Sequence, residues 1–220
     1  MMRFHNREEG GRLLAERLRP YAVDATAIVL GLPRGGVVTA AVIAEQLDLP
    51  LDVMIVRKLG APWQPELAMG AIASGGIRVL NREVIGPLRI SKKQIDEVAA
   101  REEAELVRRE KLFRADRPAL SLSGRTVIIV DDGIATGSTM LAAIRCIRAQ
   151  KPSRIVMAVP VAPPSTCKKF ESEVDDVVCL STPEPFNAVG EWYDDFAQVE
   201  DDEVVALMKK AAERTDLVTR

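Results

Sequence analysis

The sequence predicts an α/β fold in which a parallel sheet is covered by helices on both faces. Short apolar segments alternate along the chain with longer segments of helical periodicity, and this alternation is typical of a parallel sheet. The chain has 220 residues, of which 47% are hydrophobic and 28% are charged. These values are near globular averages, so we expect one domain over 1–220 with a substantial core.

The first half of the chain begins with regular alternation and then becomes irregular. Leucines on one face indicate a first helix over 6–19. A second helix is predicted over 37–47, and apolar runs indicate one strand before it, over 27–30, and one strand after it, over 51–56. Glycine and proline are frequent in residues 57–76, so we expect a loop-rich stretch there. A β-hairpin within it is an alternative, because 67–73 and 77–80 both look extended.

The second half returns to alternation. Ser91 is a suitable N-cap for a long charged helix over 91–114. A strand over 126–130 is followed by a helix that ends near 149, a strand over 154–159, a helix over 163–172 and a strand over 176–180. An irregular aromatic segment over 182–196 and a last helix over 201–213 complete the prediction.

The segment over 126–140, TVIIVDDGIATGSTM, carries the strongest functional signal. A short apolar strand leads into Asp131 and Asp132, and a turn of small residues then leads into a helix. Backbone N–H groups at a helix start are unpaired and partly positive, so they bind phosphate, and the hydroxyls of Thr136, Ser138 and Thr139 add donors. Carboxylates accept hydrogen bonds from sugar hydroxyls and attract divalent cations. The pattern therefore predicts a site for a phosphorylated polyol.

Two further loops carry groups suited to anions. The turn after the first strand contains Arg34, Gly35 and Gly36, in which the glycines let backbone approach a ligand closely. Arg57 and Lys58 follow the second strand directly, and two cations at a strand end suit a polyphosphate. Either feature alone is also common as an ordinary connection or as solvated charge.

The segment over 126–140 resembles the ribose-5-phosphate motif of type I phosphoribosyltransferases, although Gly133 stands where that family usually has an aliphatic residue. The resemblance spans about 25–160. It implies a parallel-sheet core there, a flexible loop over 59–76, and a small hood formed by about 161–220 with the N-terminal helix. It also implies binding of phosphoribosyl pyrophosphate (PRPP) and a small-molecule acceptor.

The resemblance implies a role for each candidate residue. Asp131 and Asp132 would hold the ribose and, directly or through ribose or water, Mg²⁺. The 5′-phosphate would lie on the loop formed by Ala135, Thr136, Gly137, Ser138 and Thr139. Pyrophosphate would be bound by Arg34, Gly35, Gly36, Arg57 and Lys58, with a non-proline cis peptide at or next to Arg34–Gly35. Asp131, Asp132 and Arg34 would be the catalytic residues.

The acceptor is addressed by two weaker signals. Position 135 is alanine, whereas relatives acting on 6-oxopurines have an aspartate there, which argues against hypoxanthine and guanine. The hood gathers Phe186, Trp192 and Tyr193, and an aromatic ring there could stack on a nucleobase, although aromatic residues more often form core.

The function expected from the resemblance is Mg²⁺-dependent transfer of ribose 5-phosphate from PRPP to an acceptor, with release of pyrophosphate. A regulator that binds PRPP or a nucleotide without turnover is the alternative, because it would share the same motif. A P-loop is excluded, since no lysine lies between Arg125 and Lys151, and a serine hydrolase is disfavoured because no GxSxG occurs.

Composition limits the setting and the partners. The net charge is −2, so nothing indicates nucleic-acid binding by bulk electrostatics. The three cysteines lack metal spacing, and the charged N-terminal segment lacks the apolar core of a signal peptide, so we expect a cytoplasmic protein. The chain has no apolar run long enough to cross a membrane, so we expect no membrane span. The helix over 91–114 is expected to pack with one solvated face, and a homodimer contact through it is the alternative.

Overall fold

The computed structural model describes residues 2–115 and 117–218. Its strands are β1 (Ile28–Gly31), β2 (Leu51–Val53), β3 (Val56–Ala61), β4 (Gln64–Ala73), β5 (Ile77–Leu80), β6 (Thr126–Val130), β7 (Arg154–Val161) and β8 (Asp176–Ser181). Its helices are α1 (Arg7–Leu18), α2 (Gly35–Gln46), α3 (Arg82–Ile85), α4 (Lys92–Arg114), α5 (Ser138–Ala149), α6 (Pro164–Phe170) and α7 (Asp201–Val218).

The central sheet is parallel and has the strand order β2-β1-β6-β7-β8. Its central strands are buried on both faces, as continuous apolar runs require. Along β6, Ile128 and Val130 pack in the core shared with α1, α2 and α7, whereas Val127 and Ile129 pack in the core shared with α5. The predicted fold class is therefore confirmed, with helices on both faces.

The prediction of a loop-rich stretch over 57–76 is wrong for most of its length. Residues 56–80 form a three-stranded antiparallel sheet of β3, β4 and β5, and the alternative of a hairpin between β4 and β5 is confirmed. Two of the glycines allow the backbones of neighbouring strands to lie close together. A Cβ at Gly60 would lie 2.4 Å from the Pro65 carbonyl oxygen, and a Cβ at Gly70 would lie 2.5 Å from the Val79 carbonyl oxygen. Gly60 also lies at a register irregularity, the usual place for a strand glycine.

The sheet brings two predicted loops to one edge. Gly31 at the end of β1 pairs with Val130 at the end of β6, and the Leu32 amide donates to the Val130 carbonyl at 2.9 Å. The loop after β1 and the loop after β6 therefore start side by side. This is the edge of an open α/β sheet where ligands bind.

Two segments that lie far apart in the sequence meet beside this edge. Phe4 pairs with Tyr193 in a parallel bridge, and its amide donates to the Trp192 carbonyl at 2.9 Å. Phe4 and Tyr193 are buried together with Val161 of β7. The segment before α1 and the segment between β8 and α7 thus form one packed unit within the predicted hood of 161–220 and the N-terminal helix, and hereafter hood means this smaller unit. In the part of the chain that the structure describes, no helix is long and apolar enough to span a membrane.

Candidate active site

The loop over 135–139 has the shape that the sequence predicts for a phosphate site. Gly137 caps α5 with φ of 72°, a left-handed conformation that favours glycine. A Cβ there would also lie 2.6 Å from the Phe170 ring. The hydroxyls of Thr136 and Ser138 lie 3.2 Å apart on the exposed side of the loop. The loop therefore presents hydroxyls and the free N–H groups of the first turn of α5 to solvent.

The acidic pair lies at the end of β6, and its two members differ in environment. One carboxylate oxygen of Asp131 accepts a hydrogen bond from the Asp132 amide at 2.9 Å. Burial raises the pKa of the Asp131 carboxyl well above its usual range, and the neighbouring Asp132 charge raises it further. The Asp132 carboxylate instead forms an ion pair with Arg7. The two carboxylates are therefore not interchangeable.

The glycines after β1 pack directly on these carboxylates. A Cβ at Gly36 would lie 2.8 Å from the Asp131 Cα, and a Cβ at Gly35 would lie 1.9 Å from Asp132 Oδ2. Only glycine fits at either position without displacing the acid. The peptide bond between Pro33 and Arg34 is cis, which is next to the bond where the resemblance places it.

The predicted pyrophosphate cations already have acidic partners. Arg34 Nη1 lies 3.6 Å from Asp201 Oδ1 at the start of α7, and Arg57 Nη2 lies 2.7 Å from Glu102 Oε2 on α4. Lys58 Nζ lies 3.3 Å from Glu66 Oε2. These cations could reach a polyphosphate only by loosening their present ion pairs.

A cavity joins two of these cations to the phosphate loop. Arg57, Lys58 and Thr139 line one cavity of about 420 Å³, together with Pro62 near the tip of the hairpin β3–β4. The structure therefore brings the strand-end cations and the start of α5 to one place, although they are far apart in sequence. Arg34 lies apart from this cavity, on the side facing α7.

Sequence reasoning missed Arg7, the first residue of α1. Its Nε donates to Asp132 Oδ2 at 2.6 Å, across 125 positions of the chain. An indirect signal existed: α1 contains the adjacent residues Gly10 and Gly11, which weaken a helix unless packing requires them. A Cβ at Gly10 would lie 2.9 Å from Pro160, and one at Gly11 would lie 2.8 Å from the Thr39 carbonyl oxygen. The glycines let α1 lie close enough for Arg7 to reach the acid.

The hood places the predicted base-binding aromatic residues in different environments. Tyr193 is buried between Phe4 and Phe196, and its hydroxyl donates to the Asp132 carbonyl oxygen. Its ring therefore supports the acidic loop and leaves no free face for stacking in this structure. Phe186 and Trp192 are half-buried and stacked, with ring centroids 6.3 Å apart. Their role in base binding stays a prediction.

Gly133 is explained by its contact with the hood. A Cβ at this position would lie 2.4 Å from Val189 Cγ1 and 3.0 Å from Val161 Cγ1. A larger residue would push the hood away from the acidic loop. The departure of Gly133 from the usual aliphatic residue therefore accompanies close packing of the hood on this loop.

A parallel α/β sheet, an acidic pair at a strand end and a hydroxyl-bearing loop at a helix start are together typical of a phosphoribosyltransferase domain. The comparison with protein families agrees, since the phosphoribosyl transferase domain model matches residues 5–195. The chain belongs to this family.

Two relatives are similar over nearly the whole chain. A Mycobacterium tuberculosis protein (strain H37Rv), provisionally named a phosphoribosyl transferase, is 47% identical over 211 residues, which cover 96% of this chain. The crystal structure of TT1426 from Thermus thermophilus superposes with a TM-score of 0.86 at 42% identity, covering 95% of this chain and 99% of that one. The chain spans only 47% of the length of the Mycobacterium relative.

Proposed function

We propose that the chain transfers ribose 5-phosphate from PRPP to a nucleobase nitrogen and releases pyrophosphate. The acceptor nitrogen gives up its proton to the departing pyrophosphate or to water and forms a bond to C1 of the ribose, and the bond from C1 to the pyrophosphate oxygen breaks. The electron pair of the broken bond leaves with pyrophosphate. Positive charge develops at C1 during this exchange, so a fixed carboxylate nearby lowers the barrier.

One observation supports this proposal above the others. The loop after β1 touches both carboxylates of the loop after β6, through Gly36 against Asp131 and Gly35 against Asp132. A ribose on the acids would therefore have its 5′-phosphate directed to the start of α5 and its C1 substituent directed to the loop after β1. Holding both phosphate groups in this way contributes mainly positioning, which can supply a large share of a rate enhancement.

The residues present fit a Mg²⁺ ion that arrives with the substrate. Asp131 and Asp132 offer carboxylate oxygens, and Mg²⁺ commonly takes one or two carboxylates together with substrate phosphates. Within the described residues, no group of three or more His, Cys, Asp or Glu forms a closed metal site. A bound Mg²⁺ would supply neutralisation of the charge that builds on pyrophosphate.

The cations would act on pyrophosphate by changing partners. Arg57 would release Glu102, and Lys58 would release the side chain and the backbone carbonyl of Glu66. The Glu66 side chain is 95% exposed, so its ion pair with Lys58 is worth little. Arg34 Nη1 lies more than 3.5 Å from the carboxylate oxygens of both of its acidic partners, Glu200 and Asp201, so these ion pairs are also loose. A pyrophosphate carries more charge than any of these carboxylates and would compete effectively for the cations.

The test is pyrophosphate release from PRPP and Mg²⁺ in the presence of single nucleobases. Calorimetry measures PRPP affinity in parallel, and a variant with Asp131→Asn and Asp132→Asn is the matched inactive control. Release that depends on one base and disappears in the control would support the proposal. Tight PRPP binding without release for any base would favour the regulator instead. Absence of PRPP binding would refute both.

A further inference from the structure

The environment of Arg7 differs from that of an ordinary surface arginine. Its side chain is 11% exposed and that of its partner Asp132 is 15% exposed, so the ion pair is largely withdrawn from water. Most other ion pairs of the described residues involve side chains that are more exposed. Withdrawal from water makes the geometry of a charge pair matter more, because the desolvation cost is recovered only with good contacts.

The hood holds the Arg7 guanidinium on two further sides. Nη1 donates to the Ala197 carbonyl oxygen at 2.7 Å, and the guanidinium carbon lies 3.8 Å from the centre of the Phe196 ring. A planar guanidinium with several fixed donors satisfies all three contacts together, whereas a lysine ammonium offers no plane to stack. The residue type therefore matches the surroundings.

The ion pair leaves part of the carboxylate available. The Arg7 hydrogen bond is made to Oδ2 of Asp132 and does not occupy Oδ1. A ribose hydroxyl could therefore bind Oδ1 while Arg7 keeps its place. The backbone of Asp132 is fixed as well, because its carbonyl oxygen accepts from Tyr193 and its amide donates to Asp131.

We propose that Arg7 is a positioning residue that fixes the Asp132 carboxylate for ribose binding, with the hood fixing Arg7 in turn. The inference rests on the proposed function, because it assigns Asp132 to the ribose. It goes further because it adds two segments that lie far apart in the sequence to the site: Arg7 is the first residue of α1, and Phe196 lies shortly before α7. Neither residue belongs to the motif over 126–140.

The experiment compares Arg7→Met, Arg7→Lys and Arg12→Met with the wild-type protein. Arg12 is the matched control, because it lies on the same helix, is 50% exposed and pairs with Glu8 at 3.9 Å. The readouts are kcat and the KM for PRPP, PRPP affinity by calorimetry, and the thermal unfolding midpoint. We expect Arg7→Met to lower kcat/KM by about 10²-fold, since displacement of a positioned group by about 1 Å has that effect.

Arg7→Met should also weaken PRPP affinity, because Asp132 is assigned to the ribose, while the unfolding midpoint changes little. Arg7→Lys should recover part of the lost affinity and rate, because it restores the charge without the hood contacts. Arg12→Met should match the wild-type protein in every readout.

Unchanged PRPP affinity and kcat/KM in Arg7→Met would overturn the inference, as would a complete absence of recovery in Arg7→Lys or equal effects of the Arg12 variant. Failure of the proposed function would be seen separately, as a lack of turnover in the wild-type protein. The PRPP affinity of the variants would still decide the role of Arg7 in that case.

Discussion

Replacing Gly35 by alanine should disable the site while leaving the fold intact. The added Cβ would lie 1.9 Å from Asp132 Oδ2, 2.6 Å from Asp132 Cγ and 2.8 Å from Arg7 Nε. Real Cβ atoms do not approach other atoms closer than 3.0 Å, so the carboxylate oxygen must retreat by at least about 1 Å. The atoms that must move belong to side chains, and both side chains belong to the proposed site.

The size of the effect follows from this displacement. Moving a reacting or positioning group by about 1 Å can cost about 10²-fold in rate, which corresponds to about 2.7 kcal/mol of activation free energy. Stability should change much less, because position 35 is the first residue of α2 and alanine favours a helix over glycine by up to about 1 kcal/mol. We therefore expect kcat/KM for PRPP to fall about 10²-fold with little change in the unfolding midpoint.

The assay is steady-state pyrophosphate release beside thermal unfolding. Gly86→Ala is the matched control, because it makes the same chemical change at an exposed position whose added Cβ would meet only the Arg82 carbonyl oxygen at 3.2 Å. A Gly35→Ala protein with a kcat/KM within about threefold of the wild type would refute the assigned contact between position 35 and the acid. Equal losses in both variants would show that the effect is not specific to the site.

Three further predictions concern stability, mobility and acceptor choice. Because its pKa is raised in the folded state, the Asp131 carboxylate costs stability as pH rises from its ordinary value of 3.8 through the raised one. Asp131→Asn should therefore unfold at higher denaturant concentration than the wild type at pH 7.5, with a smaller gain near pH 4, and parallel pH curves would contradict this. Residues 59–76 should exchange amide hydrogens quickly without ligand and more slowly with PRPP and Mg²⁺, although much of the segment is β-structure; protection equal to β6 in the free protein would argue against a lid. Hypoxanthine and guanine should be poor acceptors because Ala135 offers no carboxylate, and steady-state kcat/KM values of about 10⁴ M⁻¹s⁻¹ or more for either base would show that position 135 does not discriminate.

The stretch over 57–76 shows where local sequence reasoning fails. Six Gly or Pro residues in this stretch predict a loop, because these residues usually interrupt regular structure. Here Gly60 and Gly70 allow neighbouring strands to approach closely, and Pro62 lies in the turn between β3 and β4. Whether a glycine breaks a strand or allows close pairing depends on what lies across from it. That partner is set by pairing between strands and is invisible in one segment alone.

The sequence by itself determined the parallel sheet, most helices and the functional loops, because these features depend on residues that are near one another in the chain. The strand over 126–130, the acids after it and the helix after Gly137 all follow from local periodicity and turn chemistry. The cis bond beside Arg34 was predicted only through the resemblance to the family.

Only the tertiary structure decided which groups surround each acid. Arg7 reaches Asp132 across 125 positions, and Phe196 and Ala197 hold Arg7 from the other end of the chain. The different settings of Asp131 and Asp132, which are adjacent in sequence, also come from packing, since one carboxyl is buried beside a like charge and the other is paired with a cation. Burial and charge proximity are properties of the assembled fold, and no local pattern records them.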